Sequence, residues 1–259
     1  MKKGLPILII ALLSILLCCR CGLAQESSQR FLNWLTQDPV DMVSNVGATE
    51  LLTVGAFGVG TSAISLSDAA VSSNFQRNFR HSDFLEFSNK WGDWKIAAPV
   101  SAGIFATSLL TDDTKFQDAA FTSLQSILMT NITVNTSKFL FARERPLHEN
   151  NPYDFEFVER GATSFPSGHT STAFALFTPW MVYYPGAVTY SLMAIPVGTA
   201  VARVAKGKHW LSDVVAGAGI GFAMGYYLSK KHLKLQSNNI QITPSAGMNN
   251  VSLTINFSF

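Results

Sequence analysis

Two apolar stretches of matched length, residues 166–184 and 187–205, flank a Pro185-Gly186 turn, and their charged and histidine residues sit at the far ends. As helices, each leg is roughly 28 Å long at 1.5 Å per residue. The chain runs out, turns and comes back, so the residues at the far ends must meet. A further apolar stretch, 119–141, carries Lys138 near its end, next to the same junction. Three polar clusters therefore converge on one end of a helical hairpin. The first runs from Lys138 to Arg145-Pro146. The second is Ser164-Phe165-Pro166-Ser167-Gly168-His169-Thr170. The third is Arg203, His209 and Asp213.

Composition narrows the class. Apolar residues make up 47% of the 259 and charged residues 14%, which is high and low respectively for a soluble domain. The formal charge is +2 with no basic run, so nucleic acid is not an expected partner. Met1-Lys2-Lys3, an apolar run over 5–19 and Gly22-Leu23-Ala24 form a secretory signal pattern over residues 1–24, with an uncleaved anchor as the alternative. Cys18, Cys19 and Cys21 all lie in that segment, so a chain cut after Ala24 has no disulfide and no cysteine metal site.

Residues 25–45 read as an amphipathic lead-in with Phe31, Trp34 and Leu35 at helical spacing. A helical domain is expected over 46–232, with its motif core at 138–213. Its apolar segments are 46–66, 96–110, 119–141, 166–184, 187–205 and 212–228, the last closed by Lys230, Lys231 and His232. His81, His148 and His232 lie in polar stretches and read as surface histidines, and Arg143 and Glu144 as a solvated pair. Trp210 fits either core packing or an interface anchor. In the tail, 233–259, Val251, Leu253, Ile255, Phe257 and Phe259 alternate with polar residues, and Ile240 and Ile242 look like a hairpin partner across 244–250.

The clusters suit an oxyanion. Lys138, Arg145 and Arg203 supply three cations, and an arginine fork matches two phosphate oxygens. Pro166 in a first helical turn and backbone N–H groups at Ser167-Gly168 add neutral donors. Of His169 and His209, one can attack phosphorus as a neutral imidazole and the other can protonate the leaving oxygen. Asp213, four residues after His209, can accept the second imidazole N–H and fix its tautomer.

The ordered patterns K-x-x-x-x-x-x-R-P (Lys138 to Pro146), P-S-G-H (Pro166 to His169) and R-x-x-x-x-x-H-x-x-x-D (Arg203 to Asp213) resemble the type 2 phosphatidic acid phosphatase and vanadium haloperoxidase superfamily. The resemblance covers about 76 residues. It implies an all-α helical bundle and metal-free phosphoryl transfer through a phosphohistidine, with no cofactor. By position, His209 looks like the nucleophile, Asp213 its orienting partner and His169 the general acid. Lys138, Arg145, Ser167, Gly168 and Arg203 look like the phosphate binders. One departure is Ala202, where the family usually has serine, which removes a hydroxyl donor worth about 1 kcal/mol.

The expectation is thus an all-α, membrane-embedded bundle with a short C-terminal β-hairpin, in a bacterial cell envelope, foremost its inner membrane, with the periplasm or an association with the outer membrane as alternatives. The substrate is a phosphate or diphosphate ester, foremost of a lipid: phosphatidate, a polyprenyl diphosphate or a lipid A type. Membrane lipid is an expected partner, and no oligomeric state is indicated. A soluble periplasmic acid phosphatase of broad specificity is the alternative, and a vanadate-dependent haloperoxidase a remote one. If every segment after a cleaved signal spans, the site faces the cytoplasm. An outward-facing site requires one early segment, such as 46–66, not to cross.

Overall fold

The computed structural model describes residues 22–79, 82–147, 151–158, 164–237, 240–247 and 250–257. The apolar run of the signal pattern, the three cysteines, His81 and His148 lie outside them. Ten helices follow in order among the described residues: α1 (Gly22–Ser44), α2 (Ala48–Ser65), α3 (Asp68–Phe79), α4 (Asp83–Trp91), α5 (Trp94–Ser108), α6 (Thr114–Phe141), α7 (Gly168–Tyr183), α8 (Ala187–Leu192), α9 (Ala194–Ala205) and α10 (Leu211–Ser237). The all-α expectation holds for the bundle.

The 28-residue α6 is the axis of the bundle, starting where the Asp113 carboxylate accepts the Phe116 N–H at 3.0 Å. Its interior stretch is rich in Ser and Thr. Three of these hydroxyls find partners on carbonyls: Thr122 on Asp118 and Ser126 on Thr122, both at 2.6 Å, and Ser123 across to Leu176 of α7 at 2.8 Å. Small hydroxylated side chains of this kind let neighbouring helices come close while their polar groups stay paired. Further along α6, Phe121, Leu124 and Leu128 meet Phe31 and Trp34 of α1 and Phe105 of α5 in an apolar cluster. The lead-in helix thus docks one face into the bundle. Phe31 stacks on Phe121 with ring centroids 4.8 Å apart and meets Phe105 edge-on at 5.1 Å.

α10 lies along α7 because Gly217, Gly221 and Gly225 recur every four residues on one face. A Cβ at Gly217 would sit 2.5 Å from the Ser167 carbonyl oxygen, and one at Gly225 would sit 2.9 Å from Thr178 Cβ. Such a small-residue stripe permits close helix contact.

Two expectations about α10 are corrected. The helix passes straight through Lys230-Lys231-His232 and ends at Ser237. His232 is fully buried, with Nε2 2.8 Å from Asp38 Oδ2 and Nδ1 2.8 Å from Thr122 Oγ1. Its ring stacks on Trp34 at 3.7 Å, and Lys231 pairs with Asp38 at 2.8 Å. It is not a surface histidine, because α1 packs over it and supplies the counter-charge.

Ala187–Ala205 and Leu211–Lys234 are long and apolar enough to cross a membrane. The first is interrupted at Met193, whose N–H bonds to the Tyr190 carbonyl at 3.1 Å. Gln29–Ser44 and Ala48–Ser65 meet the same criterion only together, bent by 83°. The remaining helices are too short or too polar, so the six apolar segments do not make six spans by length and composition among the described residues.

The tail is a hairpin of β1 (Ile240–Gly247) and β2 (Asn250–Phe257), antiparallel, pairing Ile240 with Phe257 and Gly247 with Asn250. The first strand is longer than expected, because Pro244 continues it opposite Leu253. Both strands of a two-stranded ribbon are edges, where a residue without an N–H is tolerated.

Candidate active site

α6 ends at Ala142, which adopts φ 39° and ψ 51° and gives its N–H to the Lys138 carbonyl at 3.0 Å. A left-handed alanine costs about 1–2 kcal/mol, and here the surroundings hold it. Ala142 is buried, and its carbonyl accepts the Glu156 N–H at 3.2 Å. The turn sends the next residue, Arg143, inward.

Arg143 is not half of a solvated pair with Glu144. It is 1% exposed. Its guanidinium reaches Asp213 Oδ1 at 2.6 Å, Asp68 Oδ2 at 2.8 Å, Ser212 Oγ at 2.7 Å and the Pro152 carbonyl at 2.9 Å. Burial of a guanidinium requires this density of acceptors. Trp210 is core packing: its indole N–H donates to the Glu144 carbonyl at 3.0 Å, and Arg143 lies 5.6 Å from its ring.

His209 is also buried, at 2% exposure. Its Nδ1 is 2.8 Å from the Ser164 carbonyl oxygen. A carbonyl can only accept, so Nδ1 carries the proton and Nε2 keeps its lone pair. Asp213 Oδ2 lies 3.6 Å from Nδ1, too far for a hydrogen bond. The nearer acceptor for this proton is thus the Ser164 carbonyl, with the Asp213 carboxylate behind it. The Asp213 carboxylate instead accepts the Trp210 N–H at 2.9 Å, the Ser164 hydroxyl and Arg143. These bonds tie it to Ser164 and to the turn that carries His209. The Ser164 N–H is tied in turn to the Arg143 carbonyl at 2.9 Å.

The central stretch follows at once. Ser167 is the cap of α7 and Gly168 its first residue, so Pro166 precedes the cap and does not occupy the first turn. The Ser167 N–H bonds to the Asp213 carbonyl at 2.9 Å, joining the second cluster to the third. The first intrahelical bond is Ser171 N–H to Ser167 carbonyl at 3.0 Å, which leaves the N–H groups of Gly168, His169 and Thr170 at the open end of the helix. Lys138 reaches this end from α6: a Cβ at Gly168 would lie 3.7 Å from Lys138 Cε. Arg203 is 8% exposed, anchored by one N–H to Asn89 Oδ1 at 3.2 Å. Its buried Nε–H has no hydrogen-bond partner among the described residues.

Electrostatics tie the clusters together. Burial pushes His209 down to about 3, with Lys138 adding to the effect and Asp213 opposing it. Burial also takes His169 to about 4, helped by Arg203, Lys138 and Arg145. Lys138 falls to about 7 through burial and the repulsion of Arg145 and Arg203, against Asp213. Both histidines are neutral at pH 7, inside a field dominated by cations. Such a site favours a multiply charged anion. All eight residues singled out from the sequence thus lie at one end of the bundle. Asp68, Asn89, Arg143, Ser164 and Ser212 were not recognised. Ser164 and Arg143 had a signal, their places at the head of the central stretch and inside the first cluster.

Residues 119–237 match the PAP2 superfamily. Two lipid A 1-phosphatases resemble the chain. That of Porphyromonas gingivalis is 35% identical over 102 residues, 37% of this chain and 20% of the relative. That of Rhizobium etli is 29% identical over 100 residues, 37% of this chain and 43% of the relative. The chain therefore spans less than half the length of either. A transmembrane PAP2-type phosphatidylglycerolphosphate phosphatase from Bacillus subtilis shares the fold, with a TM-score of 0.56 over 70% of this chain and 96% of that one, at 17% identity.

Proposed function

We propose that this chain, which carries a PAP2-superfamily domain over residues 119–237, hydrolyses the phosphate ester of an envelope lipid through a phosphohistidine. One observation carries the reading: a buried, neutral His209, its Nδ1 proton held by the Ser164 carbonyl, in the field of Lys138 and Arg203. Its Nε2 lone pair attacks phosphorus. The N–P bond forms as the P–O bond to the lipid breaks, and His169 gives its proton to the leaving oxygen. Water then attacks phosphorus, His169 takes a proton from it, and the N–P bond breaks to release phosphate. Lys138, Arg145, Arg203 and the N–H groups of the first turn of α7 bind the phosphoryl oxygens and stabilise the charge that builds on them. His169 is neutral beside these cations. A bound dianion offsets their repulsion and raises its affinity for the proton it must donate.

A lipid substrate is supported by the apolar surface of α2, the helix that leads into Asp68. Leu51, Leu52, Val54 and Val59 of α2 are each more than 60% exposed, a surface that suits acyl chains better than water. Among lipids, lipid A phosphates rank first, because they are in the names of the matched relatives. The test is phosphate release by the purified protein from lipid A, phosphatidate, a polyprenyl diphosphate and a soluble aryl phosphate. Lipid A is expected to be turned over fastest, in the presence of EDTA. Faster turnover of the soluble ester than of every lipid would contradict the reading.

A further inference from the structure

Asp68 lies outside the matched PAP2 region, 75 residues before Arg143 and 144 before Ser212, yet it is fully buried against both. Its Oδ1 accepts the Ser212 N–H at 2.8 Å, and its Oδ2 accepts the Ser212 hydroxyl and the Arg143 guanidinium. Arg143 spends its other terminal nitrogen on Asp213 Oδ1 and Ser212 Oγ. Asp213 holds the Ser164 hydroxyl, and the Ser164 carbonyl holds His209 Nδ1. One unbroken chain of hydrogen bonds thus runs from the first residue of α3 to the imidazole.

We propose that Asp68 is a positioning residue for the His209 imidazole, acting through Arg143, Ser212 and Asp213. Two carboxylates share one guanidinium. Asp68 takes one terminal nitrogen, which turns the other squarely toward Asp213. By clamping the Ser212 N–H and hydroxyl together, Asp68 also fixes the start of α10, and with it the neighbouring Asp213. Without the Asp68 charge, Arg143 has a single buried carboxylate to neutralise and is drawn toward it. Asp213 would then shift relative to Ser164, and the carbonyl would no longer meet Nδ1 at 2.8 Å. Of the groups that bind phosphoryl oxygens, the N-terminus of α7 touches this chain through one backbone bond, the Ser167 N–H to the Asp213 main-chain carbonyl, which the Asp213 carboxylate does not make. A loss at Asp68 should therefore appear mainly in the chemical step, with phosphate binding changed little. Outer partners of this kind typically contribute 10–100-fold.

The proposal rests on the reading of His209 as the nucleophile. The test compares the wild-type protein with Asp68→Asn, which keeps the size and the acceptor for the Ser212 N–H but removes the charge. Turnover of the best substrate, KM, and the inhibition constant of inorganic phosphate are measured for each. The expected result is a 10–100-fold fall in kcat with KM and the phosphate constant within about threefold. A kcat within twofold of wild type would overturn the proposal, as would a parallel loss of phosphate binding, which marks general collapse of the site. If Asp68→Asn does not fold, Ser212→Ala removes the hydroxyl between Asp68 and Arg143. It should lower kcat about three- to tenfold with phosphate inhibition unchanged, and an unchanged kcat again counts against the idea. Absence of phosphate release by the wild type would sink the functional reading and this proposal with it. Undiminished release by Asp68→Asn sinks this proposal alone.

Discussion

His209 Nδ1 lies 2.8 Å from the Ser164 carbonyl oxygen and 3.6 Å from the nearest oxygen of Asp213. The imidazole tautomer is therefore set by a backbone acceptor, with the carboxylate one step behind. A backbone carbonyl cannot be removed by mutation. The carboxylate that holds it can be.

Asp213→Asn should lower kcat by about 100-fold or more, because Arg143, Ser164 and the Trp210 N–H all lose their charged partner together. Ser164→Ala removes only the hydroxyl and keeps the carbonyl, so a fall of about two- to fivefold is expected. Steady-state kinetics on the two variants checks the order. A larger loss at Ser164 than at Asp213 would mean that the hydroxyl does more than position.

Anion binding should be linked to proton uptake. Lys138 is held down to about 7 and His169 to about 4 by burial and neighbouring cations. An added dianion favours the protonated form of both and raises both values. Protons are then taken up on binding near neutral pH, so affinity strengthens as pH falls from 8 to 6 and weakens as it rises. Sulfate keeps a constant charge over this range, which makes it the suitable probe. Titration calorimetry in buffers of different ionisation enthalpy should show net uptake, and no uptake would contradict the electrostatic picture.

The stripe of glycines on α10 can be tested against a neutral control. A Cβ at Gly221 would run into the Ser171 carbonyl of α7, a backbone atom that cannot step aside. Gly221→Ala is expected to destabilise by about 1–3 kcal/mol through overpacking. Gly103, inside α5, has open space around the same position. Gly103→Ala should be neutral or stabilising by about 0.5–1 kcal/mol. Thermal midpoints in detergent distinguish the two, and equal shifts would mean that α7 and α10 are not in close contact.

Much of the site was legible in sequence because its residues sit at the ends of helices of matched length. Legs of equal span around Pro185-Gly186 bring His169 and Arg203 to one end, and Lys138, near the end of the preceding helix, and His209, just past the second leg, fall beside them. What could not be read depends on pairings across the chain. Arg143 looked solvated because the two residues that follow it, Glu144 and Arg145, are charged, whereas its counter-charges come from Asp68 and Asp213. His232 looked like a helix terminus because two lysines precede it, whereas its Nε2 hydrogen-bonds to the carboxylate of Asp38, 194 residues away. Local composition signals exposure, and only tertiary packing reveals a buried partner. The tautomer of His209 was out of reach for a related reason. The spacing to Asp213 pointed to the carboxylate, and the acceptor proved to be a carbonyl in the central stretch.

The most direct test of the account is to trap the covalent intermediate. Substrate labelled in the phosphoryl group is mixed with the purified protein, quenched within one turnover and mapped by mass spectrometry. The account predicts an acid-labile, base-stable label on His209, absent from a folded His209→Ala variant whose phosphate release falls at least about 1,000-fold. A label on any other residue, or sustained turnover by His209→Ala, would contradict it.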